Sequence, residues 1–147
     1  MKFHSNSLVN TKKIARELAR EIFKFQHKKT VVVGLVGDLG SGKTTFVKSF
    51  AKELGIQSRI TSPTFLIQKK YKIKKNGFSS FLHVDVYRIK KISELYTIEF
   101  KNELSNSQNI IVIEWADIIK KILPKKMIWI SFLHGKNKNE RYIIIKK

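Results

Sequence analysis

Residues 37–46 read GDLGSGKTTF, and the fold turns on this stretch. Only seven glycines occur in the 147-residue chain, yet Gly34, Gly37, Gly40 and Gly42 fall within nine positions. Upstream, TVVVGLV over 30–36 is a short, wholly apolar run that suits a buried strand. Downstream, KTTFVKSFAKEL over 43–54 reads as a helix, with Gly55 placed to end it. The order is strand, glycine loop, helix. Gly37, Gly42, Lys43 and Thr44 fit G-x-x-x-x-G-K-[ST]. Polyphosphate needs many donors at short range. A loop that wraps it must turn backbone N–H groups inward, in conformations that glycine adopts at little cost. The helix beginning near Lys43 adds the positive end of its dipole. On this reading Lys43 reaches the β- and γ-phosphates, the Thr44 hydroxyl binds Mg2+, and Thr45 helps to hold the α-phosphate. The expected ligands are ATP or ADP with Mg2+.

Such a loop needs a distal acidic group to fix the metal and its waters, usually at the end of another apolar strand. The run IIVIE over 110–114 supplies Glu114. Alone, Glu114 is a carboxylate at an ordinary strand end; beside a phosphate loop it becomes the metal candidate, together with Thr44. In HVDVYR, over 83–88, a strand places His83, Asp85 and Tyr87 on one side. Asp85 either orients water or Mg2+, or forms a surface salt bridge, with Arg88 close by. His83 on its own reads as a structural hydrogen bonder. Thr61, Ser62 and Thr64 flank Pro63 in a polar loop that either closes over the γ-phosphate as a switch or is a plain turn.

The remaining pattern is that of an α/β chain. Residues 11–26 form an amphipathic helix with Ile14, Ala15, Leu18, Ala19, Ile22 and Phe23 on one face, capped by Asn10 or Thr11. Residues 65–73 and 79–87 read as strands joined through an Asn76-Gly77 turn. Residues 92–104 read as helical and 105–109 as a polar loop. A short helix after Trp115 stops near Pro124. The C-terminal part reads as a hairpin, 127–133 with 141–147. The expectation is one P-loop NTPase-like domain over 1–147, with a mixed central sheet flanked by helices.

Hydrophobic residues make up 42% of the chain, enough for a folded core. No apolar run has the length of a membrane span, and the first ten residues lack an apolar signal region. Absence of cysteine excludes disulfides, thiol chemistry and cysteine-ligated metal. These features suit a soluble, cytoplasmic protein with no membrane partner. The formal net charge is +19, which points either to nucleic acid or to compositional drift. Twenty-five basic residues are Lys and five are Arg, and isoleucine is also abundant, with twenty copies. Dedicated nucleic-acid readers favour Arg. With lysines spread along the chain, tRNA contact is expected to be indirect, or weak and unselective. Two rival functions compete. A P-loop small-molecule kinase needs an arginine-bearing lid, and Arg16, Arg20, Arg59, Arg88 and Arg141 form no such cluster in sequence. A basic RNA-binding module needs an aromatic stacking platform, whereas these aromatics mostly read as core.

GDLGSGKTTF, TSPTF, HVDVYR and IEWAD, in this order, resemble the TsaE (YjeE) family, small P-loop ATPases of bacterial tRNA threonylcarbamoyladenosine (t6A) synthesis. The resemblance runs from about Thr11 to the C-terminal hairpin. The glycine loop is common to many NTPases; TSPTF, then H-x-D-x-Y-R, then E-W is far more specific. The resemblance implies that Gly37, Asp38, Leu39, Gly40, Ser41, Gly42, Lys43, Thr44 and Thr45 bind ATP phosphates. It implies Mg2+ on Thr44 and Glu114, Thr11 near the adenine, and a switch over Thr61–Phe65. It makes Asp85 an active-site acid, with Lys43 and Glu114 completing the catalytic set, and packs Trp115 beside them. The implied partners are a threonylcarbamoyl transferase subunit and its inactive paralogue, a TsaD–TsaB type complex, which ATP hydrolysis resets between turnovers. Two departures stand out. Ser41 replaces a frequent alanine, and ELYTIEFKNEL at 94–104 lacks the glycine the family commonly carries after H-x-D-x-Y-R.

Overall fold

The computed structural model describes residues 1–24, 28–63 and 65–147. Its strands are β1 (Lys2–Ser5), β2 (Val31–Val36), β3 (Gln68–Lys75), β4 (Phe78–Asp85), β5 (Asn109–Glu114), β6 (Ile128–His134) and β7 (Arg141–Lys146). Its α-helices are α1 (Leu8–Phe23), α2 (Lys43–Glu53) and α3 (Phe100–Ser105). The strands form one mixed seven-stranded sheet in the order β1-β7-β6-β2-β5-β4-β3. The four inner strands β4, β5, β2 and β6 run parallel, while β3 and β7 pair antiparallel to their inner neighbours and β1 antiparallel to β7.

The central strands are apolar without alternation because helices cover both faces. On one face, Ile14 and Leu18 of α1 and Phe46 and Phe50 of α2 pack on Val33, Leu35, Phe81, Ile110 and Val112. On the other, Leu95, Phe100, Ala116 and Ile119 pack on Val32, Leu82, Val84, Ile111 and Ile113. Each such large side chain, fully buried, contributes about 1.5–3 kcal/mol. β3 lies at the sheet edge and reads QKKYKIKK; its lysines protect that edge from pairing with other chains. Arg20 Nε donates to Glu53 Oε1 at 2.7 Å, linking the exposed rims of α1 and α2.

Several sequence expectations are corrected. The first helix begins at Leu8, and its cap is Ser7, whose hydroxyl accepts from Asn10 N–H at 3.2 Å. Neither Asn10 nor Thr11 caps it. Residues 25 and 26, the expected end of that helix, lie outside the described residues. β1 was not expected; four residues with mixed polarity carry too little periodicity to signal a strand, and pairing with β7 supplies the missing context. Residues 65–67 do not start a strand. A turn with Leu66 N–H on the Pro63 carbonyl (2.9 Å) and a left-handed Ile67 (φ 64°) comes first. Residues 92–104 are not one helix. Glu99 sits at φ 54° and divides a 3₁₀ segment, Ile92–Ile98, from α3. After Trp115 the expected short helix is 3₁₀, Ala116–Ile122. Asn76 (φ 46°) and Gly77 (φ 86°) form the expected turn between β3 and β4.

Candidate active site

Parallel strands direct their C-terminal ends to one edge of the sheet, where open α/β folds place their sites. Three inner strands converge there. β2 runs into the glycine loop, β5 ends at Glu114, and β4 ends at Asp85. Asp85 and Glu114 are register partners, and Glu114 is also the register partner of Leu35 in β2. Two carboxylates and the loop are therefore brought together by strand pairing from positions 29 to 77 residues apart.

The loop enters α2 through Gly42, at φ 103°, a conformation that strains any other residue. Gly37 cannot carry a side chain for a different reason: an added Cβ would lie 2.5 Å from the Phe132 carbonyl oxygen of β6. Gly34, grouped with these glycines in sequence, has no part in the loop. An added Cβ there would meet Met127 Cε at 2.7 Å and Ala116 Cβ at 2.8 Å, so Gly34 serves packing on the opposite face. The first-turn amides of Lys43, Thr44 and Thr45 have no earlier carbonyl within α2, and Gly42 provides no side-chain cap. These donors are arranged for an anion. Asp38, Leu39 and Gly40 form the exposed crest of the loop, and Ser41 is buried beneath it. Arg141 of β7 donates to the Gly40 carbonyl at 3.1 Å, tying the crest to the C-terminal hairpin.

Lys43 is 4% exposed. Its ammonium donates to the carbonyls of Gly37 (2.5 Å) and Asp38 (2.8 Å) and lies 4.0 Å from the Trp115 ring centre. Burial pushes its pKa below the ordinary lysine value, and the negative charges of Glu114, Asp85, Asp38 and Asp117 oppose that shift. Trp115 reaches Lys43 because its own backbone is left-handed (φ 62°), an uncommon state for a bulky residue that costs about 1–3 kcal/mol. This turn leads the chain away directly after Glu114 and sets the indole at a tilt beside Tyr87, with ring centres 4.8 Å apart.

Thr44 Oγ1 donates to Glu114 Oε2 at 3.0 Å. His83 Nε2 donates to Glu114 Oε1 at 2.8 Å, and both side chains are almost fully buried. Asp85 accepts from Ser62 Oγ (3.0 Å) and from Tyr87 N–H (3.0 Å). The Ser62 contact brings the polar loop onto a site carboxylate. Thr61 accepts from Lys69, and Arg88 lies over the exposed Phe65 ring, 4.6 Å from its centre; Thr64 lies outside the described residues. Thr11 is buried, bonded to Ser5 Oγ at 2.9 Å, and its methyl lies 4.0 Å from the Cβ position of Gly42. A small cavity of about 30 Å³ opens beside it, lined by Ser7, Gly42, Asn139 and Arg141.

Thr44 and Glu114 offer only oxygen donors, the set that Mg2+ takes. Among the described residues no group of three or more His, Cys, Asp or Glu forms a metal cage. A divalent ion held here therefore needs phosphate and water oxygens as well, as Mg2+ in phosphoryl-transfer sites does. Sequence reasoning assigned Asp85, Glu114 and the loop to one site, and strand pairing brings them together. It missed the His83 bond to Glu114 and the Arg141 bond to the loop, since neither partner is near in sequence. The H-x-D spacing, which puts His83 on the Asp85 face, was the available signal for the first.

A strand, glycine loop and helix at the edge of a largely parallel sheet, with carboxylates on the neighbouring strand ends, define a P-loop NTPase-like α/β fold. Comparison with known proteins narrows the class. The model of the family "Threonylcarbamoyl adenosine biosynthesis protein TsaE" matches residues 5–143, and the chain belongs to that family. The Rickettsia prowazekii protein named tRNA threonylcarbamoyladenosine biosynthesis protein TsaE is 36% identical over 140 residues, covering 95% of this chain and 92% of the relative. The Bacillus subtilis protein of the same name is 41% identical over 99 residues, covering 67% of this chain and 59% of the relative. The crystal structure of Bacillus subtilis YdiB superposes with a TM-score of 0.69 at 32% identity, over 97% of this chain and 82% of that one. No helix among the described residues is long and apolar enough to cross a membrane.

Proposed function

We propose that this protein is a Mg-dependent ATPase that supports the threonylcarbamoyl transferase complex of tRNA t6A synthesis. One observation carries the reading: Glu114 and Asp85 stand side by side on adjacent strand ends, facing the glycine loop. Backbone amides from Gly37 to Thr45 hold the phosphates of ATP, and Lys43 turns its ammonium from loop carbonyls to the β- and γ-phosphates. Thr44 and Glu114 hold the Mg2+, which when bound neutralises charge on the phosphate oxygens. Asp85 orients the attacking water. Ser62, bonded to Asp85, couples the polar loop to that carboxylate. Thr11, whose methyl approaches Gly42, stands near the adenine of the bound nucleotide on this reading.

The chain's partners are a transferase subunit and its inactive paralogue in the cytoplasm, and hydrolysis is slow until they dock. Phosphate release from ATP by the isolated chain and by the chain with both partners tests this. Strong stimulation by the pair supports the reading; full-rate turnover by the chain alone overturns its dependence on partners. Absence of ATP binding in calorimetry overturns the reading altogether.

A further inference from the structure

At the opposite end of the sheet from the glycine loop lies a cleft of about 760 Å³. β2 has six residues, so about 20 Å of strand separates the two. Three lysine pairs surround the cleft. Lys28-Lys29 lead into β2, Lys125-Lys126 lead into β6, and Lys146-Lys147 close β7. In sequence these pairs are scattered. The topology gathers them, because β2 and β6 start at this edge while antiparallel β7 ends at it. Lys147 is paired with Glu21; the other five have no ion pair among the described residues. The ground between the lysines is apolar and wraps the strand ends, with Val31 and Ile128 toward one face of the sheet and Val32, Met127 and the half-buried Trp129 toward the other.

We propose that this cleft binds single-stranded RNA, with phosphates on the lysine rim and one base on the Trp129 floor. A rim of lysines around apolar ground suits a ligand that is both polyanionic and flat-faced. Unpaired nucleotides combine these properties; duplexes keep their base faces stacked away. An anionic membrane would also meet the charge, but a recessed floor suits an inserted base better than a lipid surface. Lysine rims attract without reading sequence, so binding is unselective and sensitive to salt. The inference is independent of ATP hydrolysis, since no residue of the cleft belongs to the glycine-loop site.

The test is fluorescence anisotropy with the full chain and a labelled single-stranded RNA of roughly 12 nucleotides, titrated across about 50–200 mM salt. One variant combines Lys28→Gln, Lys29→Gln, Lys125→Gln and Lys126→Gln. A control of equal charge combines Lys72→Gln, Lys74→Gln, Lys90→Gln and Lys91→Gln, all exposed and outside the cleft. The cleft variant should bind at least about tenfold more weakly and lose roughly 2–3 from the log–log salt slope, at about 0.7 per phosphate contact. The control should change far less. Trp129→Leu, which keeps an apolar floor, should cost a further factor of about ten through lost stacking. Equal losses in both lysine variants would mean diffuse attraction and overturn the proposal. So would undetectable RNA binding by the parent at low salt. A cleft variant that keeps RNA affinity but no longer floats with phosphatidylglycerol vesicles would assign the cleft to membranes instead.

Discussion

His83 Nε2 lies 2.8 Å from Glu114 Oε1, and both side chains are buried at the ends of neighbouring parallel strands. Thr44 holds the other carboxylate oxygen at 3.0 Å, so Glu114 is fixed from two sides. Among the described residues the Nδ1 atom of His83 has no hydrogen-bond partner; the ring is engaged through its Glu114 side. His83 thus positions a carboxylate proposed to hold Mg2+. His83→Leu is expected to lower ATP turnover by about tenfold or more, the usual loss when a partner of a metal-holding group is removed. ATP affinity should change little, and His83→Gln, which retains a donor, should recover part of the rate. Steady-state kinetics resolved into kcat and KM decide this; parental turnover in His83→Leu refutes it.

Loss of either carboxylate should be more severe. Glu114→Ala and Asp85→Ala are each expected to reduce turnover by about 10²-fold with near-normal nucleotide affinity, as for groups that act mainly in the transition state. Single-turnover hydrolysis beside calorimetric titration separates the two effects. Parental rates in both variants would remove these residues from the mechanism.

Lys43→Ala should act on binding. Removing a charge-assisted contact to phosphate should weaken ATP by about 2 kcal/mol or more, roughly thirtyfold. Unchanged affinity would mean that the loop does not use this ammonium.

The same lysine makes a prediction about pH without nucleotide. Burial lowers its folded-state pKa below the unfolded value of 10.5. Between those values the unfolded chain binds more protons, so stability rises with pH. The contribution is full above 10.5 and is lost as pH falls through the lowered value. Relative to Lys43→Met, the parent should therefore gain in Tm as pH is raised from neutrality toward 10. A difference that moves the other way contradicts the burial assigned to Lys43.

Gly34→Ala tests packing alone. The new methyl would press on Met127 and Ala116, at 2.7 and 2.8 Å. Met127 can yield, but Ala116 cannot without moving its 3₁₀ segment. About 1–3 kcal/mol of stability should be lost, lowering Tm by several degrees, with nucleotide affinity retained. Unaltered Tm would show that the segment gives way freely.

The sequence determined the strand, glycine loop and helix, because their signals are local: an apolar run, residues free of Cβ where the backbone turns, and an amphipathic stretch. It also determined that Glu114 ends a strand, since it closes an apolar run; Asp85, read within a strand over 79–87, proved to be the last residue of β4. Only the tertiary structure decided that these two carboxylates are neighbours, because strand order comes from pairing between segments distant in the chain. It likewise separated Gly34 from the glycines around it, since the packing of Met127 and Ala116 leaves no local trace. It broke 92–104 at Glu99, where docking of Leu95 and Phe100 into the second core outweighs helical propensity. And it turned scattered lysine pairs into one rim, because charges attached to three strands meet only when the strands are aligned.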